Sequence, residues 1–229
     1  ILNKYSHLSL HQAADLVDAT QNSDAFTTIS SAMKSLAADL SKFSNDLRLL
    51  SSGPQAGLNE LELPKKAAGS SIMPGKVNPI IPEVVNQVAF ETIGNDVTVT
   101  MAAESGQLEL NAFEPIMFKS ILTSEQHLTK AIETLVENCV SGIKVNAAYC
   151  RKEVEHSSIA ATVLSPLLGY EKTTALIKEA LATQQSVKAL VKQKQLLPDS
   201  LVDSLFTPEV LTNVRRVKKE KSAAGSNLN

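Results

Sequence analysis

From Phe26 to Leu50 the apolar residues recur at alternating steps of three and four positions without a break. They are Phe26, Ile29, Met33, Leu36, Leu40, Phe43, Leu47 and Leu50. A 3.5-residue period sustained over this length is typical of a long helix packed in a bundle. Ser23 and Asp24 stand where an N-cap is expected, and Gly53-Pro54 stops the pattern. The sequence therefore predicts a long bundle helix that ends before Gly53.

Two further long helices are predicted after this one. The first begins after Asn78-Pro79, and Pro82 suits its first turn because a proline there loses no intrahelical hydrogen bond. Apolar residues occupy much of the circumference of this helix, so we expect neighbours to bury it on several sides. The segment Gly106 to Asn111 interrupts it, and a third helix is predicted from about Pro115 to Ser141.

The chain changes character past Asn146, where prolines and glycine divide it into short helical pieces. Asp199 follows Pro198 and is predicted to be the N-cap of a helix over Leu201 to Phe206. Thr207-Pro208 is predicted to start another short helix. No strand pattern is long enough to build a sheet.

The predicted fold class is all-α, a long-helix bundle followed by a small helical C-terminal domain. Residues 1–145 are predicted to form part of a central helical-bundle domain, which carries a loop at 53–79. Residues 146–217 form the small helical domain in this prediction, and 218–229 a flexible tail. Three long helices cannot cover apolar faces this wide, so we expect further chain or other subunits to cover them.

Composition excludes several classes of protein. The net charge is −2 and both signs are mixed along the 229 residues, unlike the clustered basic face of a nucleic-acid-binding domain. The one basic cluster, Arg215 to Lys219, leads into a polar tail. No apolar run is long enough for a membrane span. Cys139 and Cys150 belong to no CxxC pair, which favours free thiols in a reducing cytoplasm.

The connection from Gly53 to Pro79 is the most informative segment. Loops this long inside a compact domain are usually functional. Gly57, Gly69 and Gly75 would let the backbone rotate, as a lid over a site requires. The loop is therefore the predicted location of the chemistry.

Several residues near the end of this loop form a candidate site. Ser70 and Ser71 follow a glycine, and Lys76 and Asn78 are two positions apart, which places both on one face of an extended backbone. A cation beside an amide is a suitable clamp for a carboxylate, and Glu83 follows in the first turn of the next helix. A structural role stays open for each residue. Ser70 and Ser71 would then be turn residues, Lys76 a solvated surface charge and Asn78 an N-cap. Glu83 would be an acidic residue that stabilises the helix dipole.

The string GSSIMPGKVNP, residues 69–79, matches the GSSxxPxKxNP signature of the fumarase/aspartase superfamily at every specified position. NDLRLLSSGPQAGLN, residues 45–59, also resembles the approach to this loop in the superfamily. The run from Pro82 to Pro115 resembles aspartases more closely than fumarases. The resemblance covers about residues 10–145 well and the remainder more loosely.

This resemblance implies reversible deamination of L-aspartate to fumarate and ammonia through β-proton abstraction and an aci-carboxylate intermediate. By position, Ser70 would be the general base, and Ser71 would donate a further hydrogen bond. Lys76 and Asn78 would bind substrate carboxylate. Glu83 matches the family acid that pairs with a histidine from another segment. The reaction needs no metal and no organic cofactor.

The four histidines, His7, His11, His127 and His156, form no ligand cluster in the sequence and are predicted to be structural or surface groups. The resemblance implies a homotetramer whose sites combine regions from three subunits. Nothing before Phe26 resembles the two other signature regions, one of which carries the histidine expected to meet Glu83. We therefore expect an N-terminal half to be absent and the 229-residue chain alone to be inactive.

Two alternatives to an aspartase remain at this stage. A fumarate hydratase shares the loop and the base, and only the stretch after Pro79 separates the two enzymes. A non-catalytic helical assembly module is the alternative from another class, although intact Ser70, Lys76 and Asn78 argue against it.

Overall fold

A computed structural model of the chain describes residues 2–67 and 76–212. The chain divides into two compact units, Ile1–Asn146 and Ala147–Asn229. The described parts of both units are mainly helical, with one two-stranded sheet in the first unit, which confirms the predicted all-α class. Several predictions fall outside the described residues: the roles of Gly69 and Gly75, the placements of Ser70 and Ser71, the basic cluster 215–219, and the tail 218–229.

The first unit is dominated by three long helices. They are α3 (Asp24–Leu50), α4 (Ile80–Glu104) and α5 (Glu114–Asn138), preceded by the short helices α1 (Leu2–Ser6) and α2 (Leu16–Gln21). A 3₁₀ turn at Val140–Gly142 follows α5. The three predicted long helices are therefore confirmed, with α5 giving way to a 3₁₀ turn a few residues before the predicted end.

Small residues occupy the face that α3 turns toward its neighbours in this unit. Ser30, Ala37 and Ser44 recur every seventh position and are fully or almost fully buried. Ile29, Leu36 and Phe43, one position earlier in each heptad, remain 51, 44 and 45 % exposed. Met33, Leu40 and Leu47 complete the packed side of the helix. The predicted apolar stripe is thus divided between a packed face and an exposed one.

The apolar core of the first unit runs along the bundle in three clusters. The first is Leu47, Val85, Ala131, Leu135 and Cys139; the second is Ala37, Ala89 and Leu128; the third is Val99, Ala102 and Met117. The rings of Phe26 and Phe118 pack edge to face beside the third cluster, with 4.9 Å between the ring centroids. Burial raises the pKa of the Cys139 thiol, so this cysteine is a packing group rather than a reactive one.

A short strand pair joins the two ends of the α4–α5 hairpin. Strand β1 (Leu61–Glu62) pairs antiparallel with β2 (Lys144–Val145), with Leu61 opposite Val145. The Asn146 backbone N–H donates to the Glu60 carbonyl at 2.9 Å, and Asn146 Nδ2 donates to the Asn59 carbonyl at 3.2 Å. The chain therefore holds the start of the loop against the exit from α5.

Two helix starts differ in detail from the predictions. Ser23 occupies the cap position of α3, but its side chain makes no capping bond; Asn22 Oδ1 accepts from the Asp24 N–H instead, at 2.9 Å. Asp199 is the first residue of α10 rather than its N-cap, because Pro198 holds the cap position. Pro198 has an extended ψ of 138°, so the helical backbone begins at the next residue.

The second unit is a cluster of short helices around its own core. They are α6 (Ala147–His156), α7 (Ser165–Leu168), α8 (Tyr170–Thr183), α9 (Val187–Gln193), α10 (Asp199–Leu205) and α11 (Pro208–Leu211), with a 3₁₀ segment at Ile159–Leu164. Leu164, Leu176, Val191 and Val202 are among the residues buried at its centre. Helix α11 starts at Thr207-Pro208, as predicted, with Thr207 at the N-cap position but without a capping hydrogen bond from its side chain. Within residues 2–67 and 76–212, no helix has the length and apolar character needed to cross a membrane.

Candidate functional site

A cleft of about 1120 Å³ opens in the first unit where α3 ends and α4 begins. Its walls come from the last turn of α3, the loop that follows it, the residues before α4, and β2. The described lining residues are Arg48, Ser51–Pro54, Asn59, Leu61–Lys65, Lys76–Pro79 and Lys144–Asn146. The cleft therefore gathers segments that lie far apart in the sequence.

Lys76 and Asn78, the predicted carboxylate clamp, both line this cleft. Lys76 is exposed and Asn78 is half-buried. The Asn78 carbonyl accepts from the Ile80 N–H at 2.9 Å, and the Pro79 carbonyl accepts from the Glu83 N–H at 3.2 Å. Pro79 rather than Asn78 is the cap residue of α4. The backbone of Asn78 is thus hydrogen-bonded to the start of α4, and Asn78 also lines the cleft.

Glu83 lies in the first turn of α4 and is half-buried. It is not among the described residues that line the cleft. All four histidines are exposed, and His127 contacts Glu91 at 2.6 Å rather than Glu83. Among the described residues, no group of three or more histidine, cysteine, aspartate or glutamate side chains is arranged to hold a metal ion.

The cleft carries an excess of positive charge. Its described lining includes the cations Arg48, Lys65, Lys76 and Lys144 but only one carboxylate, that of Glu62. The whole chain has a net charge of −2, so this excess is local to the cleft. A concave site lined by one sign of charge concentrates ligands of the opposite sign. The arrangement suits an anion, and a dianion more than a monoanion.

Arg48 is a residue of the cleft that the sequence did not single out. Its Nη1 donates to Asn86 Oδ1 at 3.2 Å and to Asn45 Oδ1 at 3.3 Å. Asn86 is 3 % exposed, and its Nδ2 donates to the carbonyl and the Oγ of Ser41 at 3.1 and 2.9 Å. The only signal in the sequence was that Asn45 and Arg48 are one helical turn apart within the stretch that resembles the superfamily.

The first part of the loop folds tightly onto the end of α3. The Asn59 N–H donates to the Ser52 carbonyl at 2.7 Å, and the Leu58 N–H donates to Ser52 Oγ at 3.1 Å. A Cβ added to Gly57 would lie 2.4 Å from the Ser52 carbonyl carbon, well inside van der Waals contact. Glycine is therefore required at position 57 for this wall of the cleft to form.

Family comparisons match both ends of the chain. A family model described as "Lyase" matches residues 1–94, and one described as "Fumarase C C-terminus" matches residues 161–213. A Helicobacter pylori protein named aspartate ammonia-lyase is 49 % identical over 91 % of this chain and 45 % of its own length. A Pseudomonas fluorescens protein of the same name is 50 % identical over 90 % of this chain and 43 % of its own. The chain thus spans less than half the length of these curated relatives.

Solved structures agree with these matches. A fumarate lyase:delta crystallin from Brucella melitensis bound to cobalt superposes with a TM-score of 0.84 at 46 % identity, covering 94 % of this chain and 46 % of that one. A recombinant class II fumarase from Schistosoma mansoni superposes with a TM-score of 0.81 at 33 % identity, covering 90 % of this chain and 43 % of that one.

Proposed function

We propose that this chain, which belongs to the fumarase/aspartase superfamily, is part of a carbon–nitrogen lyase that converts L-aspartate reversibly to fumarate and ammonia. The observation that carries the proposal is the near-50 % identity to proteins named aspartate ammonia-lyase over nine-tenths of this chain. The cationic cleft that contains Lys76 and Asn78 supports it, because the substrate carries two carboxylates.

The difficult step of this reaction is removal of a proton from the β-carbon. The electron pair left behind is delocalised into the adjacent carboxylate as an aci-carboxylate dianion, and then forms the carbon–carbon double bond as the carbon–nitrogen bond breaks. Ammonia leaves with the electron pair of that bond. Fixed cations and hydrogen-bond donors around the adjacent carboxylate lower the barrier, because the negative charge there grows in the transition state.

In this proposal Lys76 and Asn78 hold the carboxylate that receives the charge. Ser70 removes the β-proton, and Ser71 donates a further hydrogen bond to substrate. A serine hydroxyl is a weak base unless its alkoxide is stabilised, so this role requires backbone N–H donors and positive charge close to Ser70. Glu83 acts through a histidine supplied by another segment. No step requires a metal or an organic cofactor.

We further propose that the active form is a cytoplasmic homotetramer longer than 229 residues. Large apolar side chains such as Phe90, Val97 and Met101 on α4 are 62, 54 and 60 % exposed in the single chain, which supports burial by other subunits. The chain spans about 45 % of the length of its relatives. The 229-residue chain alone is therefore expected to lack measurable lyase activity.

The test is fumarate formation from L-aspartate by a full-length polypeptide that carries this sequence. We expect activity in the unaltered protein, its loss in Ser70→Ala, and none in the 229-residue chain. Circular dichroism of Ser70→Ala checks that its helices are intact. Activity of the chain alone above its own Ser70→Ala control would contradict the proposed division of the site, and an inactive full-length protein would contradict the proposed reaction.

A fumarate hydratase is the second candidate, because the chain matches the fumarase C-terminal family model and resembles a class II fumarase in structure. Incubating the full-length protein with fumarate, with and without ammonium, separates the two enzymes. An ammonia-lyase consumes fumarate only when ammonium is present. Consumption without ammonium would favour the hydratase.

A further inference from the structure

Arg48 reaches the cleft from the last turn of α3, whereas Lys76 and Asn78 reach it from the segment before α4. The proposed substrate has two carboxylates, and Lys76 and Asn78 account for one of them. We propose that Arg48 binds the second carboxylate and makes the cleft selective for dianions. This inference rests on the proposed function in that it takes the ligand of the cleft to be a four-carbon dicarboxylate.

The orientation of Arg48 is fixed by a buried amide. Both hydrogens of Asn86 Nδ2 are directed to Ser41, which leaves Asn86 Oδ1 facing Arg48 Nη1 at 3.2 Å. Asn86 is almost fully buried, and a buried amide with both ends hydrogen-bonded has a single stable orientation. The buried core of α4 therefore holds one nitrogen of the guanidinium in place.

The remaining donors of Arg48 form a carboxylate-sized fork. Nη1 uses its two hydrogens on Asn86 and Asn45. Among the described residues, Nη2 and Nε make no hydrogen bond within the chain. Two parallel N–H donors from these atoms match the two oxygens of a carboxylate, which is the geometry that favours arginine over lysine for such ligands. Arg48 is thus preorganised on one side and open on the other.

A purely structural role explains less of this geometry. Arg48 lies in the last turn of α3, where a cation interacts favourably with the helix dipole. That stabilisation requires only a positive charge, and a lysine would supply it equally well. It requires neither a buried asparagine behind the guanidinium nor a cleft in front of it. The substitution Arg48→Lys therefore separates the two roles.

The experiment measures binding of succinate, an unreactive four-carbon dianion, to the full-length protein by calorimetry. Arg48→Gln is expected to weaken succinate binding about ten- to a hundredfold, the range of one charge-assisted hydrogen-bonded pair. Arg48→Lys should recover only part of that loss. Lys42→Gln is the matched control, because Lys42 lies on the same helix, pairs with Asp46 at the surface and does not line the described cleft. Its succinate affinity should equal that of the unaltered protein.

Ligand selectivity and steady-state kinetics distinguish the two roles, because a purely structural role of Arg48 would leave both unchanged. The preference for succinate over the monoanion butyrate should fall in Arg48→Gln but not in Lys42→Gln. If the protein deaminates L-aspartate, KM should rise in Arg48→Gln by more than kcat falls. Thermal unfolding of each variant shows whether helix α3 has been destabilised.

Three results would overturn the inference. They are equal succinate affinity in Arg48→Gln and Lys42→Gln, full recovery by Arg48→Lys, and failure of the unaltered protein to bind succinate. A protein that binds succinate through Arg48 but does not convert L-aspartate would instead contradict the proposed reaction alone. The two failures are therefore distinguishable.

Discussion

Asp96, buried in the middle of α4, accepts a hydrogen bond from Ser30 Oγ of α3 at 2.8 Å. Lys34 Nζ lies 2.5 Å from the other carboxylate oxygen. A buried carboxylate is costly unless its charge is paired and its oxygens are hydrogen-bonded, and here α3 supplies both. The pair therefore connects the two helices at one fixed register.

Removing the carboxylate should destabilise the first unit. Asp96→Ala leaves Ser30 without its buried acceptor and Lys34 without its counter-ion. Loss of one partner of a fully buried pair costs about 3–5 kcal/mol; because Lys34 is 44 % exposed, we expect about 2 kcal/mol. The free energy of unfolding from urea titration measures it. Asp46→Ala, at an exposed pair with Lys42, is the control and should change stability by less than about 0.5 kcal/mol.

Stability should also depend on the protonation of Asp96. Burial raises the pKa of this carboxyl, but hydrogen bonds from Lys34 and Ser30 and the charge of Lys34 lower it by more, so the net pKa lies below 3.8. The stabilisation is therefore fully present above pH 3.8 and is lost as the pH falls through the lowered pKa. Urea titrations of Asp96→Asn and the unaltered chain should differ less at acid pH than at neutral pH. A constant difference would contradict this assignment.

Two buried serines on α3 should respond oppositely to the same substitution. Ser30 donates to Asp96, so Ser30→Ala is expected to cost about 1–2 kcal/mol. Ser44 is fully buried, and its Oγ has no hydrogen-bond partner among the described residues. Ser44→Ala removes an unpaired polar atom and should be neutral or stabilising. Urea titration of both variants tests this, and equal losses would contradict it.

In the second unit, Asp203 should titrate well below a typical aspartate. Lys188 Nζ and Lys192 Nζ lie 2.8 and 2.9 Å from its two oxygens. Hydrogen bonds from Lys188, which has the larger effect, and from Lys192 lower the pKa of Asp203 to about 2. Carbon-detected NMR should find this midpoint, and Lys188→Met should move it toward 3.8. Lys194→Met, which removes a cation paired with Glu179 instead, should leave it unchanged.

Two glycine substitutions should have opposite effects. Gly57→Ala places a methyl group against the backbone of Ser52, so we expect the cleft wall to shift, succinate binding to weaken and stability to fall. A Cβ at Gly94, within α4, meets nothing within 4 Å. Gly94→Ala in the 229-residue chain should raise the free energy of unfolding by about 0.5–1 kcal/mol. Thermal unfolding and calorimetry measure both, and tight succinate binding by Gly57→Ala would contradict the assigned role.

The sequence predicted the positions of the helices better than the contacts between them. The 3.5-residue period correctly indicated α3, because repeating apolar positions require a packed helix. It did not show that Ser30, Ala37 and Ser44 would form the buried face. The period indicates which residues lie on one side of the helix, but not which side packs against another helix. The burial of Asp96 was missed for the same reason, since its partners lie on another helix.

The candidate site was predicted in part. Lys76 and Asn78 line the same cleft, and their binding of a carboxylate stays a prediction. The roles of Ser70 and Ser71 stay predictions, and so does the pairing of Glu83 with a histidine. Arg48 was missed because its partner Asn86 is 38 positions away, and side-chain orientation that depends on a buried contact between helices has no local signature.

The strand pair beside the cleft has a consequence for chain length. Helices α4 and α5 each contain 25 residues, so each spans about 37 Å. The chain travels this distance away from the cleft and the same distance back, which is why Val145 arrives opposite Leu61. The equal lengths of α4 and α5 therefore set where the chain returns to the cleft. Inserting two turns into both helices would return the chain to the cleft, whereas inserting them into one would leave Lys144 short of it or beyond it.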